Sequence, residues 1–97
     1  MEKPDACIAP ESVFRKSPDV IERLIEGEAV LLNTKNGIYY SLESAGCFIW
    51  ELLDGTRRIS DIVACLCEEF DVSAGCALND ASKLFEDLCN EGLVEPA

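Results

Sequence analysis

The hydrophobic periodicity of the chain changes once, between residues 42 and 45, and this change limits the folds open to it. Before the change, apolar runs at 20–25, 28–33 and 38–42 are separated by turn residues, a pattern typical of β-strands. The turn at Asn36-Gly37 is the clearest, because these residue types tolerate positive φ at little cost. This part of the chain predicts a three-stranded antiparallel meander whose third strand has one free edge.

After the change, apolar residues recur at spacings of three and four, as on one face of a helix. The first predicted helix ends at Asp54-Gly55, and the second begins near Ser60. Residues 71–79 carry no stripe and are predicted to be a loop, so the third helix begins at Asn79 or Asp80. The three apolar stripes are Ala45, Phe48, Ile49, Leu52 and Leu53; Ile59, Ile62, Val63, Leu66 and Phe70; and Ala81, Leu84, Phe85 and Leu88.

Three strands followed by three helices (β-β-β-α-α-α) make an α+β domain, and its small size suggests a winged helix-turn-helix shape. We assign this domain to residues 19–97. Residues 1–18 are predicted to be a flexible N-terminal arm, with a short extended piece at 12–16, because the start contains two prolines and no periodicity. Leu93 and Val94, beyond the third helix, are expected to fold back onto the core.

Charge and hydropathy exclude several classes of partner. The net charge is −11, and from residue 43 onward 12 acidic residues face only three basic ones. Because a nucleic-acid-binding surface must neutralise phosphates with Lys and Arg, we expect no nucleic-acid partner. No apolar run approaches the roughly 20 residues that span a bilayer, and the start lacks a secretory signal. We therefore expect a cytoplasmic protein with no membrane partner.

Six cysteines and no histidine leave little basis for metal or catalytic chemistry. The closest cysteine pair is Cys65-x-Cys67, which lacks the spacing of structural zinc sites. The cysteines are therefore interpreted as reduced, mostly buried small hydrophobes, with a redox or metal role as the alternative. Because the sequence has no glycine-rich phosphate loop and no nucleophile beside a base, we predict no enzyme activity, no cofactor and no metal.

Four motifs between residues 28 and 94 occur in the order and with the gaps of a known family. They are Val30-Leu31-Leu32-Asn33 before Gly37-Ile38-Tyr39-Tyr40-Ser41-Leu42; Gly46-x-x-Ile49-Trp50-Glu51-Leu52-Leu53-Asp54-Gly55; Ile59-Ser60-Asp61-Ile62 running to Phe70; and Asp80-Ala81-x-x-Leu84-Phe85-x-x-Leu88 ending in Gly92-Leu93-Val94. On these motifs the chain resembles the PqqD-like proteins, also called RiPP recognition elements. RiPPs are ribosomally made and post-translationally modified peptides.

The resemblance implies a winged helix-turn-helix domain that binds the leader segment of a precursor peptide. In the family, the leader adds as a strand to the third β-strand and lies against the third helix. The domain then presents the peptide to a modifying enzyme, often a radical SAM protein. For this chain the resemblance implies a free-standing, non-catalytic adaptor whose partners are a precursor peptide and a peptide-modifying enzyme.

A free strand edge carries unpaired N–H and C=O groups, and an added peptide strand satisfies them. We therefore expect the leader to pair with the third strand, with an apolar wall on the third helix and Lys83 opposite an acidic leader residue. The predicted peptide-binding residues are Ile38, Tyr39, Tyr40, Ser41, Leu42, Leu78, Ala81, Lys83 and Leu84. The simpler interpretation makes the tyrosines ordinary strand aromatics, the helix stripe core and Lys83 a solvated charge.

Two other functions stay open at this point. A winged-helix DNA-binding regulator has the same shape, although eight acidic residues and one lysine between Asp61 and Glu91 oppose it. A structural subunit that only dimerises is the other alternative. The chain also departs from the family pattern, since Glu43 and Arg58 stand where Asn and Thr often cap helices. Ser44 is expected to cap the first helix instead, and each lost cap costs about 1 kcal/mol at most.

Overall fold

The computed structural model describes residues 9–97. Its elements, in chain order, are β1 (Phe14–Lys16), β2 (Val20–Ile25), β3 (Glu28–Asn33), β4 (Ile38–Glu43), α1 (Ala45–Leu52), α2 (Ile59–Phe70), α3 (Ala74–Asn90) and β5 (Val94–Pro96). The α+β order of a three-stranded antiparallel sheet followed by three helices is confirmed, and β1 and β5 form an additional two-stranded sheet. No helix within residues 9–97 has the length and apolar character needed to cross a membrane.

The larger sheet has the strand order β2-β3-β4, with every pair antiparallel. A two-residue turn, Glu26-Gly27, joins β2 to β3, and both residues have positive φ (47° and 82°), as the twist of a tight hairpin requires. The turn between β3 and β4 ends at Gly37, whose φ is 73°. The N–H of Gly37 donates to the carbonyl oxygen of Asn33 at 2.8 Å, which closes this turn. Both hairpins therefore follow the turn chemistry of the sequence.

The helices cover one face of this sheet. On β3, Ala29, Leu31 and Asn33 point toward the helices and are buried, whereas Val30 and Leu32 on the opposite face stay partly exposed. Each helix buries one stripe in the core, where α1 contacts β3 and β4, and α2 packs on α1 and α3. The buried helical residues are Cys47, Ile49 and Trp50; Ile59, Ile62, Val63 and Leu66; and Ala77, Ala81, Phe85 and Leu88.

α3 begins five or six residues earlier than the sequence pattern predicts. The loop predicted over 71–79 is confirmed only for 71–73, because Ser73 caps a helix that starts at Ala74. Its hydroxyl oxygen accepts a hydrogen bond from the N–H of Cys76 at 3.3 Å. Asn79 and Asp80, the predicted caps, therefore lie inside the helix. The predicted cap at Ser44 is also wrong, since its side chain makes no capping hydrogen bond to α1.

The chain preceding residue 19 is packed rather than loose over most of its described part. Phe14 is buried and stacks on Phe85 of α3, with ring centroids 5.3 Å apart. β1 pairs antiparallel with β5, so that Phe14 lies opposite Pro96 and Lys16 opposite Val94. The flexible arm predicted over 1–18 therefore does not include 12–18, and residues 1–8 lie outside the described residues. Leu93 and Val94 are buried, which confirms that the chain folds back after α3.

Candidate functional site

Among the described residues, β4 forms hydrogen bonds to a neighbouring strand along one edge only. It pairs with β3 over its whole length, and no strand within residues 9–97 pairs with its other edge. β2 is the other edge strand, but Glu22 and Arg23 lie at its centre, and charged residues protect an edge against added strands. The 38–42 stretch of β4 carries no charge. Of the two edge strands, β4 is therefore the one that a further strand can join without meeting charged residues at its centre.

α3 lies on the covered face of the sheet, close to β4 at one end and to β3 at the other. At one end, Leu84 lies close to Leu42 and Gly46. A Cβ atom placed on Gly46 would lie 3.5 Å from the Leu42 Cβ and 3.9 Å from the Leu84 Cδ2. At the other end, the Nδ2 of Asn33 donates to the carbonyl oxygen of Glu91 at 2.8 Å. We call the space between the two elements the β4–α3 groove. It is bounded by Tyr40 and Leu42 of β4 and by Leu84, Asp87 and Glu91 on and just after α3.

An apolar cavity of about 390 Å³ lies at the Leu84 end of the β4–α3 groove, between α1, α2 and α3. Gly46 has no side chain there, which leaves the space between Leu42 and Leu84 unfilled. Among the described residues, Asp80 is the only charged one in its wall. The lining residues are Ala45, Gly46, Ile49, Leu66, Phe70, Val72, Ala77, Asp80 and Leu84. Such a cavity can accept a large apolar side chain next to a carboxylate.

The predicted residues on β4 alternate between two faces, as expected. Tyr40 is half-buried and Leu42 is buried on the helix side, whereas Tyr39 is 68% exposed on the outer face. Ser41, also on the outer face, donates its hydroxyl to the Glu28 carboxylate at 2.7 Å. Ile38, at the end of the strand, is half-exposed. Only the helix-side residues of β4 therefore border the groove with their side chains.

The predicted residues on α3 do not form one wall. Leu84 lines the cavity, but Ala81 is completely buried in the core and Lys83 is exposed. Leu78 precedes Leu84 by six residues and so points about 120° away from it around the helix. The lining residues missed by the sequence analysis include Gly46, Phe70 and Val72. Phe70 and Val72 are large apolar residues that stay more than one-third exposed, a signal that only the structure reveals.

Burial and the neighbouring carboxylates change the pKa of Tyr40 in the β4–α3 groove. Partial burial raises the pKa of its phenol, and the nearby carboxylates of Asp87 and Glu91 raise that pKa further because they disfavour a phenolate. Burial also raises the pKa of the Cys47 thiol, with a smaller contribution from Glu51. A thiol with a raised pKa is a weak nucleophile near neutral pH.

Comparison with protein families identifies the chain. Residues 28–94 match the family model described as coenzyme PQQ synthesis protein D (PqqD). The chain belongs to the PqqD family. The match begins at β3 and ends in β5, so it includes every residue that bounds the β4–α3 groove. The family resemblance inferred from the four sequence motifs is thereby confirmed.

Two solved structures have the same fold as this PqqD-family chain. One is TbiB1 in complex with the TbiA(beta) leader peptide, which is 32% identical and superimposes with a TM-score of 0.79 over 84% of this chain and 94% of that one. The other is lasso peptide synthetase B1 complexed with the leader peptide, at 25% identity and a TM-score of 0.77, covering 86% and 98% of the two chains. No curated protein matches the chain.

Proposed function

We propose that this chain is a peptide-binding adaptor, which captures the leader segment of a ribosomally made precursor peptide and presents it to a modifying enzyme. The leader adds as an antiparallel or parallel fourth strand to the free edge of β4. The observation that carries this proposal is a strand edge that is open and uncharged over 38–42, together with an apolar cavity at the Leu84 end of the β4–α3 groove.

Strand addition suits the chemistry of this edge. The backbone of β4 supplies N–H and C=O groups at regular spacing, so the affinity comes from main-chain hydrogen bonds that any leader sequence can make. Selectivity then comes from the side chains that the added strand directs toward the groove. One of them can enter the cavity near Leu84, where Gly46 leaves room.

The similar structures support the same function. Both neighbours named above are complexes with leader peptides, and this chain covers nearly the whole length of each. We extend peptide binding from those proteins to this one because the chain shares their fold and keeps the free edge. The modifying enzyme is proposed by class only, with a radical SAM enzyme as the example that the family resemblance implies. We propose no reaction for the adaptor itself and place it in the cytoplasm.

DNA binding is less well supported than peptide binding. In a winged helix-turn-helix regulator, a helix of the last pair enters the major groove and needs basic residues. α3 carries Asp80, Glu86 and Asp87 against Lys83 alone. Phosphates would be repelled from this helix, whereas a peptide backbone would not.

Filling the cavity tests the proposal. Linear peptides that bind the chain are first selected from a random displayed library, and their affinities are measured by calorimetry. Gly46→Leu places a side chain between Leu42 and Leu84, and we expect it to weaken peptide binding at least tenfold, which corresponds to about 1.4 kcal/mol.

Gly75→Leu is the matched control, because Gly75 lies in the first turn of α3 and no atom of residues 9–97 lies within 4 Å of its missing Cβ. We expect this variant to bind peptides as the parent chain does. Circular dichroism and Trp50 fluorescence verify that both variants are folded. Equal loss of affinity in the two variants, or none in Gly46→Leu, would contradict the proposal.

A further inference from the structure

Three carboxylates lie along the side of α3 that faces the β4–α3 groove. Asp80 lines the cavity, and Asp87 and Glu91 lie close enough to Tyr40 to influence its phenol. Their spacing of seven and four residues repeats after whole helical turns, so they share one face with Leu84. The groove therefore has the uncharged part of β4 on one side. On the other side it has Leu84, with carboxylates before and after it along α3.

These carboxylates have few positive partners of their own. Within residues 9–97, the ion pairs in the structure involve Asp19, Glu22, Asp54, Asp61 and Glu95, and none involves Asp80, Asp87 or Glu91. The one base on α3, Lys83, is exposed and about 100° from Leu84 around the helix. The same part of the chain contains no cluster of three or more side chains suited to a metal ion. A metal ion is therefore not the partner that these acids favour.

A peptide strand added in the groove would place some of its side chains next to these three carboxylates. Its side chains alternate, and those directed toward α3 meet Asp87 and Glu91 at the Tyr40 end and Leu84 and Asp80 at the cavity end. An acidic side chain at these positions would add like-charge repulsion to a protein that already carries a net charge of −11. A lysine or arginine side chain would be attracted and could extend its aliphatic part along the apolar surface.

We infer that the β4–α3 groove selects leader peptides that carry lysine or arginine on the side facing α3, with Asp87 and Glu91 as the specificity-determining residues. This inference rests on the proposed function, because it assigns the charge of a peptide that the adaptor must first bind. It differs from the prediction made from Lys83, which expects an acidic leader residue.

The first test is the composition of the selected peptides. The full chain is used to select binders from a random linear peptide library, and the frequencies of charged residues are compared with those of the unselected library. We expect enrichment of Lys and Arg and depletion of Asp and Glu. Enrichment of acidic residues would overturn the inference and support the role of Lys83.

The second test locates the effect on α3. The double variant Asp87→Asn and Glu91→Gln removes two charges with little change in shape, and we expect the selected cationic peptide to bind about twofold to fivefold more weakly per carboxylate. The same peptide with its cations replaced by glutamine should lose affinity to the parent chain but be insensitive to the double variant. Added salt should weaken only the cationic peptide.

Glu86→Gln, combined with Glu68→Gln, is the matched control. Both residues are exposed, and Glu86 points about 120° away from the Asp80, Leu84 and Asp87 face, so the control removes the same net charge elsewhere. Equal weakening in the control and the double variant would overturn the inference, since the effect would then come from net charge. Binding of peptides without any preference for cations would overturn it and leave the adaptor function intact. Failure of all peptides to bind would overturn both.

Discussion

At the scale of single residues, a few polar contacts fix the sheet to the helices. The indole N–H of the fully buried Trp50 donates to the Glu22 carboxylate at 2.6 Å. Lys16 pairs with the same carboxylate at 3.1 Å, and its ammonium group lies 5.0 Å from the Trp50 ring centroid. These contacts join β1, β2 and α1 at the β2 edge of the sheet, opposite the edge formed by β4. In the β4–α3 groove, the pKa of Tyr40 depends on its burial and on the charges of Asp87 and Glu91.

The phenol of Tyr40 should titrate above its usual value of 10.0, since burial and the carboxylates of Asp87 and Glu91 all disfavour the phenolate. In the Tyr39→Phe variant, Tyr40 is the only tyrosine, so phenolate absorbance as a function of pH measures its pKa directly. The midpoint should fall when Asp87→Asn and Glu91→Gln are added. A midpoint at or below 10.0 in the folded protein would show that Tyr40 does not lie between β4 and the acids.

The same raised pKa has a consequence for stability. Tyr40 is neutral in both states below pH 10, so its contribution to the free energy of unfolding is complete there. As the pH rises through its pKa in the folded state, the unfolded chain loses the proton more easily, and this contribution is lost. The Tyr40→Phe variant lacks this group, so it should lose less stability than the parent chain above pH 10.

At the scale of elements, the sequence predicts best where the chemistry is local. Asn36-Gly37 and the alternating runs around it predict the β3–β4 hairpin, and the helical stripes place α1 and α2 to within a few residues. The first turn of α3 was missed because Ala74-Gly75-Cys76 carries no apolar stripe, and its start depends on the Ser73 cap. The sequence predicts the β4 side of the groove, but which side of α3 faces β4 depends on how the helix packs.

Ser73→Ala should destabilise the chain by about 1 kcal/mol, because it removes the side-chain oxygen that caps α3. Chemical denaturation followed by Trp50 fluorescence measures this change. Ser44→Ala serves as the control, since Ser44 makes no capping hydrogen bond, and it should change stability by less than about 0.5 kcal/mol. If α3 instead began at Asn79, Ser73→Ala would be neutral and Asn79→Ala would be the costly substitution.

At the scale of the whole molecule, the two ends of the described chain close the fold. β1 and β5 pair with each other, and the N–H of Ser17 donates to the carbonyl oxygen of Leu93 at 3.0 Å. This sheet could not be predicted from the sequence, because it joins three-residue strands about 80 positions apart, and neither has a periodic pattern long enough to detect. The prolines near the start of the sequence place the predicted domain boundary at residue 19, whereas the core extends back to Phe14.

Phe14→Ala should cost about 3–5 kcal/mol, because it removes a buried ring that stacks on Phe85. Arg15→Ala, in the same strand, is the control. Arg15 is exposed and makes a surface ion pair with Glu95, so its loss should cost less than about 1 kcal/mol. A flexible arm through residue 18 would instead make both substitutions neutral in denaturant titrations.

Peptide binding across the β4–α3 groove is tested most directly by amide hydrogen exchange along the chain, with and without a selected peptide. An added strand accepts hydrogen bonds from alternate N–H groups only, so we predict slower exchange at every second residue of β4 and little change in β2. Chemical shifts in α3 should change around Leu84 and Asp87 in the same experiment. Protection along β2, or binding that leaves the β4 amides unprotected, would contradict strand addition at this edge.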